Sequence, residues 1–112
     1  VQLNRAGLEL GQYLSYLSVR QEVIAANIAN ADTPGYKTLD LEPPGDFLSS
    51  LVSAAAIVEA PGLASHNDGN NVSIDREARL LAENALRFNI TAQVLRSQLR
   101  MLRSAIEEGR SA

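Results

Sequence analysis

The chain predicts an all-α dominated protein in which two long helices, one at each end, fold into a coiled-coil-like antiparallel hairpin. An extended arm, a short helix and a loop join them. Three observations predict this. In the last third, Ile74, Leu81, Phe88, Leu95 and Leu102 recur every seven residues, and Ala78, Ala85, Ala92, Leu99 and Ile106 fill the places four residues later. At the start, Leu3, Leu10, Leu17, Ile24 and Ala31 form one row and Gly7, Leu14, Gln21 and Ile28 a weaker second. One sharp break, Thr33-Pro34-Gly35, closes the first helix. Seven residues come close to two helical turns, so such rows hold an apolar stripe on one side of a helix, and water drives that stripe against another helix.

The N-terminal helix is expected over residues 3–30, within a segment 1–31. Ala25, Ala26, Ala29 and Ala31 near its end let another backbone approach closely. Asn27 and Asn30, three apart, lie on adjacent turns of one face, and either bond to backbone groups of the following loop or meet solvent at the helix end. Thr33 precedes proline and is pushed out of helical geometry, while Pro34-Gly35 suits the centre of a type II turn with the glycine at positive φ. Tyr36 is then placed to cover the helix end.

Beyond the turn, Tyr36-Lys37-Thr38-Leu39-Asp40-Leu41 alternates as a strand or extended arm would, until Glu42-Pro43-Pro44-Gly45 breaks it. Residues 46–60 are expected to make a short helix capped by Asp46, with Phe47, Leu51 and Ala54 or Ala55 inward, closed by Pro61-Gly62. The polar, Asn/Gly-rich stretch 63–71 reads as a mobile loop. Asn71-Val72-Ser73-Ile74 is expected to pair briefly as a strand before Asp75 caps the C-terminal helix, residues 74–108, with Glu77 in its first turn. The whole, 1–112, makes one elongated domain whose middle segment, 32–73, holds turn, arm, short helix and loop.

Helices of roughly 30 residues are about 45 Å long, so the shape is a rod. A two-helix hairpin covers only one side of each stripe, and neighbouring subunits are expected to cover the rest. The pattern therefore sets Leu10, Leu14, Leu17, Ile24 and Ile28 against Leu81, Phe88, Leu95, Leu99 and Leu102, within one chain or between chains.

The net charge of -3 is unevenly spread. The first helix is balanced, the last carries seven arginines against five acids, and the middle is acidic. No concentrated basic surface results, which argues against nucleic acid as partner. Arg96, Arg100 and Arg103 form a stripe at three- and four-residue spacing, read as a solvated face or as intersubunit ion pairs. There is no cysteine, hence neither a disulfide framework nor a thiolate metal site. No apolar run reaches the length of a membrane span, and no secretory signal opens the chain, which begins at Val1.

Catalytic chemistry is not expected. The single histidine, His66, has Asp68 nearby but no second imidazole or thiol, and zinc or general-base sites need converging ligands or an orienting partner. Ser65 lacks a base and an oxyanion donor. Asp68-Gly69-Asn70 has the start of a calcium loop but not its spaced oxygens or closing glutamate, and reads as a turn. No glycine-rich phosphate cradle or dinucleotide fingerprint occurs. No cofactor and no metal are predicted.

The segment Ala26-Asn27-Ile28-Ala29-Asn30-Ala31-Asp32-Thr33-Pro34-Gly35-Tyr36-Lys37 resembles the signature of the bacterial flagellar rod, hook and related axial proteins. Within that family, Asp68-Gly69-Asn70-Asn71-Val72-Ser73-Ile74-Asp75-Arg76-Glu77, Ala82-Glu83-Asn84-Ala85-Leu86-Arg87-Phe88 and Ser104-Ala105-Ile106 are similar to its basal-body, proximal rod members. The resemblance covers about residues 8–42 and 68–107. Two departures stand out: a shorter middle, and Phe88 where tyrosine is frequent, which keeps the apolar knob and loses a hydroxyl.

The resemblance implies a structural subunit, exported from the cytoplasm through the flagellum's own secretion apparatus and stacked helically into the periplasmic rod. There it would carry torque from the membrane ring to the rest of the drive shaft. Implied partners are other copies of the chain, other rod proteins, membrane-ring and rod-adaptor proteins and the export apparatus, with no insertion into the membrane itself. Asn27, Asn30, Thr33, Pro34, Gly35 and Tyr36 would be the family's helix-exit motif. Heptads alone would equally fit a helical adaptor or secretion-chaperone-like binding module, and the Thr33-Pro34-Gly35-Tyr36 exit with the C-terminal likeness separates the two.

Overall fold

A computed structural model of the chain describes residues 2–42 and 56–111. Its elements run α1 (Gln2–Ala29), β1 (Leu39–Leu41), β2 (Ile57–Glu59) and α2 (Ile74–Ser111). The two helices lie antiparallel, as four contacts along them show. Asn27 meets Glu77 near the turn, Leu17 and Gln21 meet Asn84, Tyr13 meets Arg87, and Leu95 comes close to Gly7. The result is a rod with extents of 71 × 25 × 17 Å.

α1 ends where proline chemistry requires. The amide of Asn30 donates to the carbonyls of both Ala26 and Asn27, tightening the last turn. Tyr36 N–H then donates to the Thr33 carbonyl at 3.2 Å across Pro34-Gly35, with Gly35 at φ +76. This is the type II turn that the Pro-Gly pair favours.

β1 appears where the alternating arm predicts an extended segment. Its partner differs from the expected short helix: Ile57–Glu59 is a strand, antiparallel to β1 with Leu39 opposite Glu59, Asp40 opposite Val58 and Leu41 opposite Ile57. The β-branched pair Ile57-Val58 suits a pleated surface, and β1 has backbone groups that need a ladder. Flanking bonds from Ala60 N–H to the Thr38 carbonyl and from Glu42 N–H to the Ala56 carbonyl extend the pairing. The remainder of that expected helix, with Asp46, Phe47, Leu51 and Ala54, lies outside the described residues.

The start of α2 also differs. Its cap is Ser73, whose Oγ accepts from Arg76 N–H at 3.3 Å, and not Asp75, which sits inside the first turn. Asn71 to Ser73 form no strand: Asn71 N–H donates to the Tyr36 carbonyl, Val72 N–H to Asn70 Oδ1, and the Ser73 carbonyl accepts from Glu77 N–H within α2.

Among the described residues, the buried apolar side chains are Leu17, Val23 and Ile24 of α1 with Leu41, Ala60 and Val72 of the connecting segments. On α1, Leu17 and Ile24 of the expected row are buried and Leu10 is half-buried. On α2 the seam is displaced: the buried positions are Glu77, Asn84 and Thr91, seven apart, with Gln98 continuing the row half-buried. Relative to that row, 81/88/95/102 is turned by about 40° and 78/85/92/99/106 by about 100° at 3.6 residues per turn. The first of these apolar rows thus lies at the seam's edge and the second on an open flank. Hydrogen bonds decide this orientation: Asn84 Nδ2 donates to the Leu17 carbonyl (2.9 Å) and to Gln21 Oε1 (2.8 Å), and Glu77 accepts from Asn27.

The helix-exit clasp and the candidate assembly faces

Asn27 is the hub of the exit. Its side chain is 0% exposed and makes four hydrogen bonds. Nδ2 donates to the Leu39 carbonyl (2.8 Å) and to Glu77 Oε2 (3.2 Å), while Oδ1 accepts from Leu39 N–H (3.0 Å) and from the Tyr36 hydroxyl (3.0 Å). An amide has two donors and two acceptor lone pairs, so every capacity is used. By pairing with both backbone groups of Leu39, Asn27 stands in for a neighbouring strand on the edge of β1 opposite β2. Of the two sequence readings for this residue, the loop-bonding one describes the structure. Asn30 is less enclosed: Nδ2 donates to its own helix at Ala26, and Oδ1 accepts from the Thr33 hydroxyl at 3.1 Å.

The expected mobile loop is tied to this exit. Asn70 Nδ2 donates to the carbonyls of Asn30 (2.9 Å) and Thr33 (2.8 Å), satisfying acceptors that a helix end leaves free, while Oδ1 accepts from Val72 N–H (2.8 Å). Asn71 Oδ1 accepts from Thr38 N–H at 2.6 Å, and the Thr38 hydroxyl lies 2.9 Å from the same oxygen. Gly35 N–H donates to the Asp68 carbonyl at 2.9 Å. At Gly69, φ is +84 and an added Cβ would lie 3.4 Å from Gly35 Cα, so two turns touch backbone to backbone. Lys37 Nζ donates to Ser65 Oγ and to the Gly69 carbonyl from above.

The clasp's charged corner joins all three segments. Arg76 donates through Nη2 to both oxygens of Asp40 (3.0 and 2.8 Å) and through Nη1 to Glu77 Oε1 (2.7 Å). Burial pulls this guanidinium down, but the hydrogen bonds and charges of Asp40 and Glu77 outweigh it and hold the group above its ordinary value. The buried carboxylate of Glu77 is therefore paired and hydrogen-bonded, which is what makes its burial tolerable. Burial, and then the Glu77 charge, raise the Tyr36 phenol above 10.0. Burial likewise raises Tyr16, whose hydroxyl donates to the Leu41 carbonyl at 3.4 Å.

Pro34 and Thr33 of the motif are exposed on the turn. Among the packing residues, Leu17 and Ile24 are buried and Leu10, Leu14, Ile28, Leu81, Leu95 and Leu102 half-buried. Phe88 (39%) and Leu99 (53%) are exposed. Three residues decisive for the clasp, Thr38, Asn70 and Asn71, are not singled out by the sequence, which places Thr38 in the extended arm and the two asparagines in a polar loop and the brief strand after it. Also missed is a back stripe on α2 of Leu86, Ile90 and Met101, all more than half exposed, which a test of every row would have shown. Ala25, Ala26 and Ala29 are exposed as well, so among the described residues none uses the close approach that they allow.

Beyond the clasp, the hairpin presents exposed apolar rows of α2 as faces for association. No group of three or more potential metal ligands occurs among the described residues, and none of their helices is long and apolar enough to cross a membrane. Open recesses lie between α1, β1 and α2 at Tyr16, Asp40 and Arg76, and between the helices at Ala25, Ala85 and Phe88.

Comparison with known proteins agrees with that reading. A family described as flagella basal body rod protein matches residues 14–37, the second half of α1 and the turn. The chain is 34% identical to the flagellar basal body rod protein FlgB of Salmonella typhimurium, over 86% of this chain and 88% of that protein. It is 32% identical to the FlgB protein of Yersinia enterocolitica, over 86% and 89%. With that of Escherichia coli K12 it shares 29%, over 86% and 88%. The Salmonella alignment spans 126 residues, more than the 112 of this chain, so that relative carries residues within the matched span that are absent here.

Proposed function

The chain belongs to the FlgB family of flagellar basal body rod proteins, and we propose that it is a structural subunit of the proximal rod, adding helically to its neighbours so that the shaft transmits torque from the membrane ring outward. The observation that carries this is the 34% identity to a basal body rod protein over 86% of the chain, with the family match on the second half of α1 and the turn. Its role is structural, not enzymatic, and it assembles with other rod and basal-body components. Copies of itself, membrane-ring and rod-adaptor proteins are the specific neighbours in this reading. It is exported through the flagellar apparatus and works within the periplasm.

The hairpin's physics supports such a part. Its thin seam leaves Leu86, Phe88, Ile90, Leu99 and Met101 in water, and apolar surface of that extent is stabilised by about 25 cal/mol for each Å² that a neighbour covers. Close-packed helix faces deform little, which a torque-bearing shaft requires. Head-to-tail contacts allow open growth where a self-complementary pair would close.

Deleting the gene from its host and restoring it on a plasmid tests the reading. The deletion should lack rods and fail to swim, the intact chain should restore both, and a tagged chain should be found in purified basal bodies. A deletion strain that still builds complete rods would overturn it.

A further inference from the structure

One flank of the hairpin is open. There Leu17, Ala25, Ala85 and Phe88 floor a trough of about 440 Å³, and Ser18 and Glu22 stand on its α1 rim. Further along α2, Leu99 is 53% exposed between Arg96 and Arg100. Positions 85, 92, 99 and 106 are seven apart, so trough and exposed leucine face the same side. Among the described residues, Glu22, Arg96 and Arg100 make no ion pair within the chain, whereas Arg5, Arg76, Arg87 and Arg103 do. An apolar trough with a lone acid on its rim thus shares a flank with an apolar knob between two lone arginines.

We propose that this flank binds a second copy of the chain in the same polarity, shifted along the rod axis, with Leu99 of one copy in the Ala85–Phe88 trough of the next and Arg96 against Glu22. The inference rests on the rod-subunit reading and names one contact within it. The step from Phe88 to Leu99 sets the shift at about 17 Å at 1.5 Å per residue. Small side chains at Ser18, Ala25 and Ala85 let the incoming helix come close. Each copy uses its trough for one neighbour and its knob for another, so the contact repeats without closing. An opposed, antiparallel pair would satisfy both halves at once and stop at two.

The chain has no cysteine, so introduced ones report cleanly. In one chain, Ser18 and Arg100 lie about 20 Å apart along the hairpin axis by its register, too far for a disulfide. Ser18→Cys with Arg100→Cys, oxidised in flagellated cells of the deletion strain, is expected to give a ladder of covalent dimers, trimers and larger species. Adding Glu22→Arg should reduce the ladder at least tenfold, and Arg96→Glu on top should restore it. Cross-linking that stops at dimers, or none at all, overturns the proposal. If the intact chain still restores swimming and rods in that strain, only this surface falls and the rod reading stands.

Discussion

At the scale of single residues, the fold is held by amides more than by apolar bulk. Asn27 joins α1, β1, the turn and α2 through one side chain. Asn27→Ala strands the backbone of Leu39 and one oxygen of Glu77, and it is expected to destabilise the chain by about 2–4 kcal/mol, as buried groups left unpaired do. Urea unfolding followed by circular dichroism measures this, and a loss below 1 kcal/mol would remove Asn27 from its central place. Gly69→Ala meets both a positive φ and the backbone of Gly35, so a cost of about 1–3 kcal/mol is expected. The phenols of Tyr16 and Tyr36 are held above 10.0 in the folded chain. The unfolded chain therefore loses these protons first as pH rises, so their contribution is fully present below about pH 10 and is lost as pH climbs through the folded values. Unfolding titrations from pH 8 to 11 should show stability flat, then falling, and Tyr36→Phe should flatten the fall while lowering the plateau through its lost bond to Asn27.

At the scale of elements, α2 has more apolar face than α1 can cover. Its cap is worth about 1 kcal/mol, so Ser73→Ala should lower the urea midpoint modestly without changing helix content, whereas Asp75→Ala leaves the cap intact. The long helices and the Pro-Gly exit were legible in the sequence because period and turn chemistry are local properties. The polar seam of α2 was not. Apolar rows set Phe88 and Leu99 against a helix of the same or another chain, and within the chain Asn84 and Glu77 take the place beside α1 through partners that only the folded register supplies. β2 was hidden for a similar reason: the alanines and serines ahead of Ile57 suggest a helix running on to Ala60, and it is the pairing with β1 that makes Ile57–Glu59 a strand. The loop at 63–71 read as mobile because Asn70 and Asn71 bond to residues more than 30 positions away.

At the scale of the whole molecule, the hairpin divides its labour. The clasp and seam give a chain that holds its own shape, while the flank and back of α2 are left for neighbours. Replacing exposed apolar residues there should therefore uncouple assembly from folding, which substitution in the seam, such as Leu17→Asp, cannot do. The most direct measurement pairs the two properties in one variant: Ile90→Asp with Leu99→Asp, unfolded in urea as the purified chain and assayed for swimming in the deletion strain. The expected result is a urea midpoint equal to that of the unaltered chain, with export intact, rods absent and swimming lost. Normal swimming by that variant would contradict the claim that these faces are buried only inside the assembled rod.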